Sequence, residues 1–130
     1  MSECTPMSQA PPVVSIVDDD PSVRRALGRL VKSAGYIVET FASAREFLDS
    51  SPRGRSACLV LDIQMEGMSG FDLQERLAAE RSAIPVIFIT AHDDPPTRKR
   101  IRRSEVAAYL RKPFDDLTLL DAIRTAVGQA

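Results

Sequence analysis

Three consecutive aspartates, Asp18, Asp19 and Asp20, follow the short apolar run VVSIV, and a fourth, Asp62, closes the run CLVL. Thr90 closes another, VIFI, and Lys112 follows AAYL by two positions, directly ahead of Pro113. Carboxylates brought together repel one another, and one of them keeps its proton unless a cation intervenes. Oxygen donors suit a hard ion: Mg²⁺ takes roughly one to three protein oxygens and keeps several waters. A site holding Mg²⁺, a free carboxylate, a hydroxyl and an ammonium matches a phosphoryl group. Cation and ammonium would neutralise its oxygens, and the hydroxyl would donate to one of them. Phosphoryl transfer asks chiefly for positioning and charge stabilisation, so few residues suffice. A carboxylate can itself be the nucleophile, giving an aspartyl phosphate.

These residues meet only if the apolar runs are neighbouring strands. Such runs occur at residues 13–17, 36–41, 58–61, 86–89 and 107–110, several rich in Val and Ile, as for strands buried on both faces of a parallel sheet. Helical patterns separate them. Val23, Ala26, Leu27, Leu30, Val31 and Ala34 form one apolar stripe, with Asp20 as N-cap, Pro21 in the first turn and Gly35 as left-handed stop. Ser43-Ala-Arg-Glu46 reads as a capping box opening a second helix. A third is expected from about 70 to 81, with Phe71, Leu73 and Leu77 inward. The last starts after Asp115 or Asp116 and turns Leu119, Leu120, Ile123 and Val127 to the core. Five strands alternating with five helices predict a doubly wound α/β sandwich. In such sheets the functional crevice lies at the carboxyl ends of the strands, where strand order reverses. All the residues singled out above follow strands.

The bulk properties agree with one globular domain. The chain has 130 residues, 44% hydrophobic and 27% charged, with a net charge of −1, so no global field draws it to nucleic acid or membrane. No apolar run approaches the roughly 20 residues of a membrane span. Two cysteines, Cys4 in a polar leader and Cys58 in a strand, make neither a disulfide framework nor a metal-ligand spacing, which favours a reducing compartment. The leader lacks a basic start and an apolar middle, so residues 1–11 are expected to be a flexible tail, residues 12–130 the domain, and the location cytoplasmic.

The strings IVDDDPSVRRAL, LVLDIQMEGMSGFDL, VIFITAH and AAYLRKPF, in this order and spacing, resemble the motifs of response-regulator receiver domains of bacterial two-component signalling. The match runs from about residue 13 to 127. The resemblance implies a flavodoxin-like fold with strand order 2-1-3-4-5. It makes Asp62 the phosphoacceptor, with Mg²⁺ bound by Asp19, Asp62 and the backbone carbonyl of Gln64, and Asp18 holding metal-bound water. Thr90 would be the switch hydroxyl, Lys112 the contact to phosphoryl oxygens, and Tyr109 the switch aromatic. A cis peptide is implied before Pro113, and Ala91 matches the small residue that leaves the acceptor open. The implied partner is a sensor histidine kinase or histidine phosphotransfer protein. The implied chemistry is self-phosphorylation from a donor and slow autodephosphorylation, not turnover of a substrate. His92, two past Thr90, and Gln64, two past Asp62, occupy variable positions that border the phosphoryl site and tune its lifetime.

Three features depart from the family pattern. Glu66 stands where Pro is usual after Met, and Glu105 where Gly is usual near the end of the fourth helix. Residues 98–103 hold five Lys or Arg with Ile101 as the single apolar residue, predicting a helix that packs thinly and is short, shifted or mobile. This basic run reads either as a solvated helix suited to its dipole or as a docking surface for an acidic partner or a second copy; nucleic acid is the weaker reading, because no aromatic residues interleave the arginines. Two rivals exist. One is a haloacid-dehalogenase-type phosphohydrolase with Asp18 as nucleophile and Asp20 as acid/base. The other is a degenerate receiver used only for binding. No DNA-binding or enzymatic output domain is recognisable, so the chain acts by binding a target or is the N-terminal part of a longer regulator.

Overall fold

The computed structural model describes residues 11–50, 56–91 and 94–128. Strands β1 (Val13–Val17), β2 (Ile37–Phe41), β3 (Ser56–Asp62), β4 (Val86–Thr90) and β5 (Ala108–Arg111) form one parallel sheet in the order β2-β1-β3-β4-β5. Helices α1 (Pro21–Ser33), α2 (Ala44–Asp49), α3 (Gly70–Ala79), α4 (Pro95–Arg103) and α5 (Asp116–Gly128) join them. The expected architecture and strand order are both present.

Alternation along the strands divides the core in two. Leu59, Leu61 and Ile63 of β3 and its exit meet Phe47 and Leu48 of α2, Phe71, Leu73 and Leu77 of α3, and Ile101 of α4. Cys58 and Val60 face the other way, onto Leu27 and Val31 of α1 and Leu119, Ile123 and Ala126 of α5. Burial pushes the Cys58 thiol up to about 12, so it is an inert core residue. Of the predicted α1 stripe, Leu27 and Val31 are buried and Val23 and Leu30 partly so, whereas Ala26 and Ala34 are exposed. In α5, Leu120 and Val127 are only partly buried; Ala126 takes the inward place.

The helix ends are set by local capping chemistry. Asp20 caps α1 by accepting from the Ser22 and Val23 amides, and Gly35 is left-handed at φ +101°, as expected. At α2 the box is incomplete: Ser43 Oγ accepts from the Glu46 amide, but Glu46 reaches back to the Ala42 amide. The full capping box is at α3, between Ser69 and Asp72. The backbone and hydroxyl donors of Ser69 hold the Asp72 carboxyl below its usual range. Helix α3 ends at Ala79 instead of 81, because Arg81 itself turns left-handed at φ +58°.

Candidate phosphoryl site at the strand ends

Strand order reverses between β1 and β3, and there the register pairs Val17 with Leu61. The next residues on the two strands are Asp18 and Asp62, so the sheet brings two carboxylates side by side at the crevice where α/β sheets bind ligands. Carboxylate oxygens of Asp18, Asp19 and Asp62 all lie within 4.8 Å of one another. Asp18 is 1% exposed, Asp62 is buried at the rim, and Asp19 is exposed. Asp20 does not join them, because its carboxylate is engaged at the N-terminus of α1.

Three interactions shape the pocket. The Gln64 amide donates to Asp62 Oδ1 at 3.0 Å, and the Asp20 amide donates to Asp18 Oδ1 at 2.9 Å. The Lys112 ammonium lies 3.6 Å from Asp18 Oδ2 and 3.8 Å from Asp62 Oδ2. The Lys112 amide donates to the Thr90 carbonyl, and the Lys112–Pro113 peptide is cis. Burial first, and the Asp18 charge second, raise the Asp62 carboxyl to about 6, against the opposing pull of Lys112 and the Gln64 amide.

The residues fit a divalent cation on a specific observation: Asp18 Oδ2 is fully buried and accepts no hydrogen bond. A buried carboxylate oxygen with an ion pair to Lys112 but no hydrogen bond is only partly compensated, and a hard cation or its bound water would satisfy it. Asp18, Asp19 and Asp62 supply the oxygens; the Gln64 main chain passes the same pocket. Thr90 ends β4 at 1% exposure, one residue beyond Ile89, the register partner of Asp62. Ala91 is exposed beside it. Tyr109 pairs with Phe88 in register on the edge strand β5, and the residue is 42% exposed. His92 lies outside the described residues, as do Cys4 and most of the expected N-terminal tail.

The geometry speaks against the hydrolase alternative. Its acid/base, Asp20, is committed to capping, and its nucleophile, Asp18, is sealed beneath Asp62 and Lys112. The departures also have outcomes. Glu66 is exposed, and the left-handed turn falls on Gly67 at φ +76°. Glu105 needs no left-handed backbone: Ser104 ends α4 in an extended conformation, with its amide and hydroxyl returning to the last carbonyls. Helix α4 is a nine-residue helix anchored by Ile101 and by Arg100, whose guanidinium stacks 4.3 Å over Phe71 and pairs with Glu75.

Two residues at the site were missed by sequence reasoning. A Cβ on Gly70 would stand 2.6 Å from the Asp62 carbonyl oxygen and 2.8 Å from Ile63 Cα, so only glycine lets α3 start this close to the end of β3. Arg24 reaches from α1 to the Asp18 carbonyl. Neither carries a local signal, since both contacts depend on elements distant in sequence or on a long side chain folding back.

Residues 14–124 match the family model described as response regulator receiver domain, and the chain belongs to that family. It is 45% identical over 114 residues to nodulation protein W of Bradyrhizobium diazoefficiens, covering 88% of this chain and 50% of that protein. It is 41% identical over 124 residues to response regulator protein TodT of Pseudomonas putida, covering 95% and 55%. The chain thus spans about half the length of these curated relatives. Among solved structures, a response regulator receiver protein from Burkholderia phymatum superposes with a TM-score of 0.79 at 45% identity, covering 90% of this chain and 95% of that one. This is a receiver domain of two-component systems, a signalling class whose members bind Mg²⁺ at an acidic pocket. No helix among the described residues is long and apolar enough to cross a membrane.

Proposed function

We propose that the chain accepts a phosphoryl group on Asp62 from the phosphohistidine of a sensor histidine kinase or histidine phosphotransfer protein, and that this switches its α4–β5–α5 surface. The observation that carries the reading is the placement of Lys112 between the oxygens of Asp18 and Asp62, at a buried acidic pocket whose outermost buried carboxylate is Asp62. In the transfer, an Asp62 oxygen attacks phosphorus, the P–N bond breaks, and the imidazole leaves with the electron pair and is reprotonated. Lys112 holds the phosphoryl oxygens and the Gln64 amide keeps the Asp62 carboxylate oriented. Asp19, Asp62 and the Gln64 carbonyl would hold Mg²⁺, with Asp18 on its water; the cation supplies charge neutralisation at the transferring group.

Thr90 is the hydroxyl that engages the new phosphoryl oxygens, and Tyr109, now exposed, is the ring that moves inward after it. A switch from 1:99 to 99:1 needs about 5.5 kcal/mol of difference between the states. The surface that changes carries the exposed cations of α4, which suit an acidic partner or a second copy. The setting is cytoplasmic, and the chain's own chemistry ends with slow loss of the phosphoryl group. Labelling of Asp62 by a small phosphodonor in the presence of Mg²⁺ tests this reading.

A further inference from the structure

Asp19 differs from its neighbours in the pocket. Its carboxylate is exposed and, among the described residues, accepts no hydrogen bond, so no partner side chain fixes it and its place relative to Asp62 starts from where the main chain puts its Cα. That main chain is gripped from both sides by one residue. Arg24 Nη1 donates to the Asp18 carbonyl at 2.7 Å, and the Arg24 amide donates to the Asp20 carbonyl at 2.9 Å. The remaining ties, Asp18 amide to the Phe41 carbonyl and Asp20 amide to Asp18 Oδ1, leave the Asp18–Asp19 peptide oxygen to Arg24.

We propose that Arg24 is a positioning residue of the acidic site: its guanidinium locks the Asp18–Asp19 peptide and so pre-aims the Asp19 carboxylate at the cation position beside Asp62. The inference rests on the Mg²⁺ reading given above. Pre-organisation lowers the ordering cost of binding. The charge of Arg24 acts in the opposite direction, because a cation near the pocket repels another cation. Loss of Arg24 therefore separates the two effects by sign: field relief tightens Mg²⁺ binding, and loss of the lock weakens it. Arg25 supplies the control, being the next residue, exposed and equally charged, with a side chain that makes no hydrogen bond or ion pair to another described residue.

The experiment is titration of Mg²⁺ alone by calorimetry at fixed ionic strength, for wild type, Arg24→Met, Arg24→Lys and Arg25→Met, with site-resolved amide exchange of the metal-free proteins. Arg24→Met is expected to weaken Mg²⁺ binding roughly three- to tenfold, the scale of one hydrogen bond. Arg24→Lys falls between, and Arg25→Met stays at or slightly tighter than wild type. In the metal-free protein, exchange at Asp19 and Asp20 accelerates in Arg24→Met while the β3 and β4 amides do not change. Unchanged or tighter binding by Arg24→Met, or equal weakening by Arg25→Met, overturns the proposal. If Arg24→Met does not fold, Arg24→Lys carries the same comparison. A wild-type protein that binds no Mg²⁺ counts against the cation reading, and the metal-free exchange at Asp19 and Asp20 then still decides whether Arg24 locks the peptide.

Discussion

The Lys112 ammonium stands 3.6 Å from Oδ2 of Asp18, a fully buried oxygen that accepts no hydrogen bond. A charge from the end of the β5 strand thus balances a carboxylate from the end of β1, across the carboxyl edge of the sheet. Replacing Lys112 with Met removes the cation that lowers the Asp62 pKa, which then rises above about 6. It also removes a donor to the proposed phosphoryl oxygens. We expect labelling from a small phosphodonor at pH 7 to slow by about 10²-fold, the usual loss for one charge-stabilising group. A time course by intact mass measures this; an unchanged rate would remove Lys112 from the site.

The raised Asp62 carboxyl predicts a metal-free protein that is less stable near neutrality. Its carboxyl titrates near 3.8 when unfolded and about 6 when folded, so the folded state binds the extra proton between those values. The contribution is favourable below pH 3.8 and is lost as pH rises through 6. Asp62→Asn should therefore stabilise the chelator-treated protein at pH 7 by roughly 1–2 kcal/mol, allowing for screening at the open rim. The gain should shrink as pH falls toward 4. Urea melts at both pH values check it, and a gain that is independent of pH would contradict it.

Mg²⁺ binding should follow the same ionisation. Above pH 6 the Asp62 carboxylate is free to bind, and below it a proton competes. At a Mg²⁺ concentration tenfold above its dissociation constant, linkage stabilises the fold by about 1.4 kcal/mol. Thermal melts with Mg²⁺ or chelator should differ at pH 7.5 and converge near pH 5. Asp19→Asn should shrink the difference at pH 7.5. Equal shifts at both pH values would place the cation elsewhere.

The acidic pocket was readable because each of its groups follows a strand, and parallel strands deliver their ends to one edge. Asp20 was readable as a cap because Pro21 and an apolar stripe follow it. Other details depend on approach distances that one-dimensional patterns do not carry. Gly70 looks like any residue after a cap until α3 is seen resting on Asp62, and Arg24 looks like surface charge until it folds back to Asp18. The end of α3 was overrun because Arg81 takes a left-handed turn normally given to glycine or asparagine. The fourth helix was expected to pack thinly, and its main support beyond Ile101, the stacking of Arg100 on Phe71, has no periodic signature.

Gly70→Ala tests how closely the end of β3, which carries the proposed acceptor, and α3 are packed. The added methyl must displace the Asp62 carbonyl or Ile63, both main-chain groups. Overpacking of this kind costs typically 1–3 kcal/mol, and here it also moves the acceptor. We expect a lower unfolding midpoint together with slower labelling, read by urea melts and intact mass on the same sample. Full stability and full labelling would show that the helix start can shift freely.

The most direct test is intact mass after incubation with Mg²⁺ and a small phosphodonor, for wild type and Asp62→Asn. Wild type is expected to gain one phosphoryl group, with a requirement for Mg²⁺, and Asp62→Asn is expected to gain none. A wild-type gain that survives the substitution, or no gain in folded wild-type protein, would contradict this.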